Sequence, residues 1–288
     1  MASMRDIQRR RASIQSTGQI TKAMKLVSTV KLQKARTKAE QTKPYFSYMY
    51  STMVDMLKRT KNINHPYLTP ASEENTKKAV IVITSNRGLA GGYNNNVVKE
   101  LLNSGFDKAD VSVFAVGRKG KDTLARRGYN IVADYSDMID EPVYGDAKTI
   151  GETVLKEFTE GNVGEIYLLY TTFKNTVSHE PKMIKLLPFN VEDMEAEEQD
   201  TKEAPMTFEP DEDEVLDAII PKYINSLIYG ALMEAVASEN GARMQAMDSA
   251  TSNAEEMIAD LSLKYNRARQ GSITQELTEI IAGAEAIN

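Results

Sequence analysis

The sequence of 288 residues contains no cysteine and no tryptophan, and it has only two histidines. Without cysteine there is no disulfide, no thiolate catalysis and no cysteine-based metal site, which favours a reducing compartment. His65 and His179 lie far apart in the sequence, each near a proline, so we expect surface positions for both and no metal site. No apolar run approaches the roughly eighteen residues of a membrane span, and the basic N-terminus lacks the apolar segment of a secretion signal.

Charge is unevenly distributed, although the net charge is only −6. Residues 1–43 contain eleven Lys or Arg and two acids, whereas residues 192–214 contain twelve acids and one lysine. A basic helix of this kind could bind nucleic acid or could face acidic loops of a protein partner, and composition does not choose between them.

The last third of the chain predicts a long coiled-coil helix. Small and apolar residues recur there at an alternating spacing of three and four, which is the coiled-coil repeat. They are Met244, Met247, Thr251, Ala254, Ile258, Leu261, Tyr265 and Ala268, and a similar stripe continues downstream through Ile273, Leu277, Ile280 and Ala284. A helix of about seventy residues would be roughly 105 Å long, so it needs an equally long partner. The small seam residues fit either a weak coiled coil or a slender shaft that a surrounding partner stabilises.

Residues 3–43 predict the partner helix. Their apolar stripe consists of Ile7, Ile14, Ile20, Met24, Val27 and Val30, and the basic residues occupy the other faces. Pro44 should kink or interrupt this helix, and a further helical piece should follow from Tyr45 to about Lys58. We expect the two terminal helices to pair antiparallel, because a parallel pair would need a connection as long as the helices themselves.

The segment between the two helices alternates strand and helix signals, which predicts a Rossmann-like domain with a mainly parallel sheet. The predicted strands are 79–84, 111–116, 131–133, 165–172 and 183–191, and the predicted helices are 93–102, 119–127 and 146–158. The fold class is therefore α/β, with a long antiparallel coiled coil added to the central domain. The expected divisions are 1–60 and 211–288 for the coiled-coil helices, 76–191 for the α/β domain and 192–210 for an acidic loop.

Two glycine-rich stretches, 84–94 and 117–122, follow predicted strands, where α/β folds often bind phosphate. Neither matches the spacing of a dinucleotide-binding turn or a P-loop, so we interpret them as structural turns. No serine lies in a G-x-S-x-G turn, and the acidic residues lack the spacing of an EF-hand. Two alternatives stay open from the residues alone: a nucleotide-binding enzyme with a coiled-coil oligomerisation arm, and a basic coiled-coil protein that binds nucleic acid.

Both ends of the chain resemble one family. Residues 16–27, read STGQITKAMKLV and continued by 31–35, are similar to the N-terminal helix of the gamma subunit of bacterial F-type ATP synthase. Residues 266–284, read NRARQGSITQELTEIIAGA, are similar to the C-terminal signature of that family. The order and length of the middle segment agree, so the resemblance covers essentially the whole chain.

The resemblance implies a central rotor shaft rather than an enzyme, with no catalytic residue, no cofactor and no metal. Its expected partners are three alpha and three beta subunits around the coiled coil, the epsilon subunit, and the membrane-embedded c-ring, with no nucleic acid. Proton-driven rotation of the c-ring would be coupled to ATP synthesis or hydrolysis, and the chain would help to regulate the ATPase. The expected location is the cytoplasmic face of a bacterial plasma membrane, with membrane contact only through the c-ring.

The resemblance also implies three sets of contact residues. Those expected to contact the alpha and beta subunits are Lys22, Met24, Lys25, Arg243, Arg269, Gln270, Thr274, Glu276 and Glu279. Those expected in an apolar collar are Ile280, Ile281, Ala284 and Ile287. Those expected on a foot toward epsilon and the c-ring are Gly88, Leu89, Gly91 and Tyr93.

Overall fold

The computed structural model describes residues 4–59, 65–68, 75–176, 178–189 and 211–285. The chain divides into two compact units, which we call the end unit (Met1–Ser28 with Arg243–Asn288) and the main unit (Thr29–Ala242). Two expectations, the acidic loop at 192–210 and the collar position of Ile287, lie outside the described residues.

Two long helices, α1 and α5, begin and end the described chain, and an α/β region lies between them. The helices are α1 (Met4–Arg59), α2 (Tyr93–Asn103), α3 (Arg118–Arg126), α4 (Tyr144–Thr159) and α5 (Glu212–Glu285). The strands are β1 (Lys78–Ile83), β2 (Val111–Val116), β3 (Asn130–Asp134), β4 (Glu165–Phe173) and β5 (His179–Leu187). We call residues 78–187 the sheet domain.

Pro44 lies inside α1 and does not interrupt it, so the predicted interruption is wrong, and the alternative, a kink, stays a prediction. The tertiary contacts of the next residues explain the difference. The ring of Phe46 packs edge-on against Tyr229 of α5, with ring centroids 6.3 Å apart, and Tyr50 packs against Tyr223 with centroids 6.5 Å apart. Such packing can compensate for the backbone hydrogen bond that a proline removes.

The five strands form one sheet in the order β3-β2-β1-β4-β5. The pairs β1–β2, β2–β3 and β1–β4 are parallel, and only the edge strand β5 is antiparallel, which confirms the predicted mainly parallel sheet. Residues 79–83 of β1 are fully buried, as expected for a central strand covered on both faces. β5 begins at His179, four residues before the predicted start, so this predicted strand was placed too late in the sequence.

The strand order reverses at β1. The chain proceeds from β1 to β2 and β3 on one side, and then returns to place β4 on the other side of β1. In open α/β sheets, ligands bind at the carboxyl ends of the strands where the order reverses. This topology therefore favours a ligand site in the crevice between the carboxyl ends of β1 and β4.

In the end unit, α1 and α5 pair antiparallel. The hydroxyls of Thr21 and Thr251 lie 2.7 Å apart, and Lys25 pairs with Asp248. Further along, Arg11 lies over the ring of Tyr265, 5.7 Å from its centroid. The predicted α5 seam is confirmed, because its residues from Met244 to Ala268 are the buried or half-buried ones and most of those between them are exposed.

The α1 stripe predicted from apolar residues is wrong in part. Ile20, Val27 and Val30 are each more than half exposed. The residues that face α5 follow the same alternation of three and four, but many are small or polar: Ile7, Arg11, Ile14, Gly18, Thr21, Lys25 and Ser28. Gly18 fits this seam because a Cβ there would already lie in contact with the Cβ of Ala254, at 3.4 Å.

Candidate functional site

The first glycine-rich turn packs against the second at the carboxyl end of β1. The Thr84 hydroxyl accepts a hydrogen bond from the amide of Gly120 at 2.9 Å and donates one to the carbonyl of Gly117 at 3.1 Å. A Cβ on Gly117, whose φ is +105°, would lie 2.1 Å from the Thr84 carbonyl oxygen, and one on Gly120 would lie 2.6 Å from the Thr84 hydroxyl. Glycine is required at both positions because the backbones approach each other, which leaves no cradle for a phosphate.

The amide groups at the N-terminus of α3 are also occupied. Phosphates bind helix N-termini through free N–H groups. Here the amide of Arg118 donates to the Asn86 side chain at 3.0 Å, and the amide of Lys119 donates to the Ser85 carbonyl at 3.0 Å. With the Gly120 amide on Thr84, three successive donors have protein acceptors. This geometry agrees with the interpretation of both glycine-rich stretches as structural turns.

The crevice between β1 and β4 contains part of α5. The Tyr93 hydroxyl, at the start of α2, donates to the carbonyl of Ala235 at 3.3 Å. The Ser238 hydroxyl donates to the carbonyl of Thr171 at 3.1 Å, and the amide of Phe173 donates to the Glu234 carboxylate at 3.3 Å. The place where related topologies bind a ligand is therefore occupied by the chain's own long helix.

The loop 85–92 leaves an exposed tip beside this crevice. Leu89 is 64% exposed and has a φ of +61°, a left-handed conformation that is uncommon for a leucine. Gly88 and Gly91 are exposed as well, so these three residues are available to a partner. Tyr93 is only 4% exposed and its hydroxyl bonds to α5, so little of its side chain is available to a partner, and its expected place on a foot surface stays a prediction.

The shaft residues expected near the alpha and beta subunits lie on different kinds of surface. Lys22 is exposed and Met24 is half-buried, whereas Lys25 is already engaged with Asp248. The exposed Ile20 and Val27 lie four residues before and three after Met24, so the three share one face of α1. Exposed apolar side chains grouped in this way are typical of a surface that contacts another protein.

Arg243 differs from the other residues in its set. It is only 9% exposed within this chain, so little of its side chain is available to a partner subunit. Its expected contact with the alpha and beta subunits stays a prediction, and the burial makes it the weakest member of the set.

The last part of α5 has no cover from α1 in the described structure. Pairing of Arg11 with Tyr265 places the described start of α1, at Met4, opposite α5 near residue 272. From residue 273 to 284 every side chain is exposed, including Ile273, Leu277 and Ile280, the last at 68%. The predicted apolar stripe continues through this segment, but no other helix in the described part of the chain covers it. Arg269, Gln270, Thr274, Glu276 and Glu279 are exposed on the same segment.

Neither histidine occupies an ordinary surface position. His65 is 2% exposed, its Nδ1 accepts a hydrogen bond from the amide of Tyr67 at 3.3 Å, and its Nε2 lies 3.2 Å from a carboxylate oxygen of Asp217. His179 is half-buried beside Phe173, and burial lowers the pKa of its imidazole below the usual value. Within the described residues no group of three or more His, Cys, Asp or Glu side chains could hold a metal ion.

Sequence reasoning missed the residues that attach α5 to the sheet domain. Glu234 and Ser238 lie in no recognised motif, and their importance comes from the tertiary contacts with β4. One signal was available: these two polar residues are four apart within an otherwise apolar stretch of α5, residues 227–238, so they share one face.

Among the described helices, none is long and apolar enough to cross a membrane.

The family described as ATP synthase matches residues 3–287 of the chain. The ATP synthase gamma chain of Lachnoclostridium phytofermentans is 65% identical over the full length of both chains. The chain named ATP synthase gamma chain, sodium ion specific, from Acetobacterium woodii is 40% identical over 99% of each chain.

Structural comparison gives the same fold. The central stalk and c-ring structure of Tetrahymena thermophila mitochondrial ATP synthase contains a chain similar to this one, with a TM-score of 0.62 and 24% identity. The match covers 80% of this chain and 99% of the other. Since the family match and the relatives extend over practically the entire sequence, the chain belongs to the ATP synthase gamma chain family, whose members are non-catalytic subunits of that complex.

Proposed function

We propose that the chain is the central shaft of an F-type ATP synthase and that it turns inside a ring of three alpha and three beta subunits. Rotation of a membrane-embedded c-ring would be passed through the sheet domain and α5 to the catalytic ring. The observation that carries this proposal is the exposed stripe from Ile273 to Ala284, an apolar surface at the end of a helix that no described part of the chain covers. An apolar surface of this kind is expected where another protein surrounds it.

The exposed C-terminal segment, residues 269–284, is proposed to contact the surrounding ring in two ways. Ile280, Ile281 and Ala284 would turn within an apolar collar, where non-directional contacts permit rotation. The polar residues Arg269, Gln270, Thr274, Glu276 and Glu279 would make the directional contacts that favour particular angles.

The second proposed contact surface is on α1. Lys22 and Met24 would meet acidic loops of the beta subunits, with the neighbouring exposed Ile20 and Val27 adding apolar area. Lys25 is paired with Asp248, so a partner at this position would meet an ion pair at the surface of the coiled coil. Surface charges of this kind set orientation and association rate more than affinity.

The exposed loop tip at Gly88, Leu89 and Gly91 is proposed to contact another rotor component, the epsilon subunit or the c-ring. The left-handed conformation of Leu89 supports this proposal, because backbone strain is commonly retained where a side chain must be presented to a partner. Through such contacts the chain would help to regulate ATP hydrolysis.

The complex would lie at the cytoplasmic face of a bacterial plasma membrane, with the chain held there through the c-ring. We propose protons as the coupling ion. The Acetobacterium woodii relative carries the words sodium ion specific in its name, so sodium is the alternative. ATP-driven acidification by membrane vesicles containing this chain distinguishes the two, since a sodium-coupled complex would need added Na⁺ and would not acidify the vesicle lumen.

Co-expression with the alpha and beta subunits of the same organism tests the proposal. We expect the complex to hydrolyse ATP only when this chain is present, and the chain alone to have no activity. A complex whose ATPase activity is the same with and without the chain would overturn the proposal.

A further inference from the structure

Three hydrogen bonds join the sheet domain to a single turn of α5. Their α5 partners are Glu234, the carbonyl of Ala235, and Ser238, and the sheet-domain partners come from both β4 and the start of α2. Most other contacts of this part of α5 are apolar, since residues 231–233 and 235–237 are largely buried hydrophobic side chains. Apolar contacts are non-directional, whereas hydrogen bonds require a particular direction between donor and acceptor.

The strand β4 provides two of these bonds because it extends beyond its neighbour. The last paired residues of β1 and β4 are Val82 and Leu169, and β4 continues to Phe173. Thr171 is opposite Pro181 of β5, and a proline has no N–H to complete a reciprocal hydrogen-bonded pair. The backbone groups of Thr171 therefore point away from β5, toward the side that β1 no longer covers, and those of Phe173 point the same way.

Glu234 and Ser238 satisfy these two free backbone groups of β4. The residues are four apart on α5, so they lie on one face of the helix and are separated along its axis by about 6 Å. Ser238 is fully buried and Thr171 nearly so, which makes loss of this bond costly because the carbonyl would remain unpaired away from water. Tyr93, also buried, approaches the same turn from α2.

We propose that Glu234, Ser238 and Tyr93 form a torsional key that holds α5 at one rotational angle relative to the sheet domain. The key positions the shaft and touches no nucleotide. Its hydrogen bonds are directional and connect α5 to both β4 and α2, so turning α5 about its axis would stretch or break them. This inference rests on the proposed rotor function, because it concerns how torque passes from the sheet domain to the helix.

The test uses the complete ATP synthase, with a probe attached through cysteine to the sheet domain at Lys99→Cys, an exposed position on α2. The chain has no other cysteine, so labelling is specific. With the alpha and beta ring fixed to a surface, the angular fluctuation of the probe reports the torsional stiffness of the shaft. The double variant Glu234→Ala with Ser238→Ala removes both bonds to β4, and Tyr93→Phe removes the third.

The matched control is Thr84→Val, which removes buried hydrogen bonds between β1 and α3 without altering any bond to α5. A second control is Glu234→Gln, whose amide oxygen can still accept from the Phe173 amide. If the key exists, the double variant increases the variance of the probe angle roughly twofold or more, whereas both controls retain the original variance.

The same variants separate the key from a merely structural role. We expect the double variant to synthesise less ATP per proton under high proton-motive force, because without these bonds α5 slips relative to the sheet domain when the load is high. An unchanged variance with a lower melting temperature would show that the three bonds stabilise the fold only, and would overturn the inference. If the unaltered complex fails to rotate at all, the proposed function fails instead, and the two failures are distinct.

Discussion

Gly241 of α5 lies so close to His179 of β5 that a Cβ built on the glycine would be 2.8 Å from the imidazole Cε1. His179 is itself held against Phe173, with ring centroids 6.1 Å apart. The glycine is therefore a packing requirement of the contact between α5 and the sheet. Gly230 is less constrained, because a Cβ there would lie at ordinary contact distance, 3.4 Å, from the ring of Phe46.

The first prediction concerns this contact. Gly241→Ala should destabilise the chain by about 1–3 kcal/mol, because the added methyl forces the imidazole to move in a packed region. The measurement is urea unfolding of the purified chain, followed by circular dichroism.

Gly271→Ala is the matched control, since Gly271 is also inside α5 but has nothing within 4 Å of its Cβ position. There the alanine should stabilise the helix by up to about 1 kcal/mol. Equal effects of the two substitutions would contradict the close contact at Gly241.

The second prediction concerns the exposed stripe at the end of α5. Ile280→Ser with Ile281→Ser should leave the melting temperature of the isolated chain unchanged, because both side chains are exposed there. In the complex the same change should lower ATP hydrolysis several-fold, since the apolar collar contact is lost.

A control pair on the same segment, Thr278→Ser with Gln275→Asn, shortens two exposed polar side chains and leaves the isoleucines in place. It should have little effect in either assay. If the isoleucine variant lowers the melting temperature of the isolated chain as well, the stripe is covered within the chain and its proposed role in the complex is wrong.

The third prediction is a pH dependence that arises from Glu165. Its carboxylate pairs with Lys185 at 2.7 Å and with Lys78 at 3.0 Å. Burial acts to raise the pKa of Glu165, but the hydrogen bonds and charges of Lys185 and Lys78 outweigh it and hold this pKa below the usual 4.5. Burial raises the pKa of Tyr167 to about 12, and the neighbouring Glu165 carboxylate contributes to this increase.

A carboxyl group whose pKa is lower in the folded state stabilises the fold above its unfolded pKa, and this contribution is lost as the pH falls through the folded pKa. The free energy of unfolding should therefore fall below about pH 4.5, and Glu165→Gln should make this fall less steep. At pH 7 the substitution should cost roughly 1 kcal/mol.

Glu152→Gln, in the exposed pair with Lys148, serves as the control and should leave the acid limb unchanged. An identical pH profile for Glu165→Gln and the unaltered chain would contradict the assigned ion pairs.

The fourth prediction concerns nucleotide binding. Because the donors at the start of α3 have protein acceptors and α5 occupies the crevice beside β1, the isolated chain should not bind ATP or NAD with stoichiometric affinity. Equilibrium dialysis measures this directly. Tight binding of one nucleotide per chain would favour the enzyme alternative.

How far the sequence predicts this structure depends on which physical signal each element carries. The α5 seam could be predicted because its repeat uses enough apolar residues to be visible, from Met247 to Leu261. The α1 seam could not, because Gly18, Thr21, Lys25 and Ser28 occupy its contact positions, while apolar Ile20 and Val27 face outward. Apolar residues recur at helical spacing whether they are buried within the chain or against a partner protein. The pattern alone therefore does not distinguish the two.

The candidate site likewise has some features that the sequence predicts and others that it does not. The two glycine-rich stretches lack the residue spacing of known phosphate-binding motifs, which correctly indicated structural turns at Thr84 and Gly117. This inference was possible because the spacing of such a motif determines its backbone geometry. The attachment of α5 through Ser238 could not be predicted, since it depends on β4 extending past β1, a property of strand pairing rather than of local sequence. His65 shows the same limit: its Nε2 lies 3.2 Å from a carboxylate oxygen of Asp217, a residue far away in the sequence.

The most direct test of the central claim is observation of rotation. An alpha–beta complex containing this chain is fixed to a surface through the beta subunits, and a probe is attached at Lys99→Cys, the exposed α2 position. On addition of ATP, the account predicts that the probe turns continuously in one direction, in steps that correspond to three catalytic sites per revolution. A probe that remains stationary while the complex hydrolyses ATP at its normal rate would contradict the account, because the chain would then not be the turning shaft.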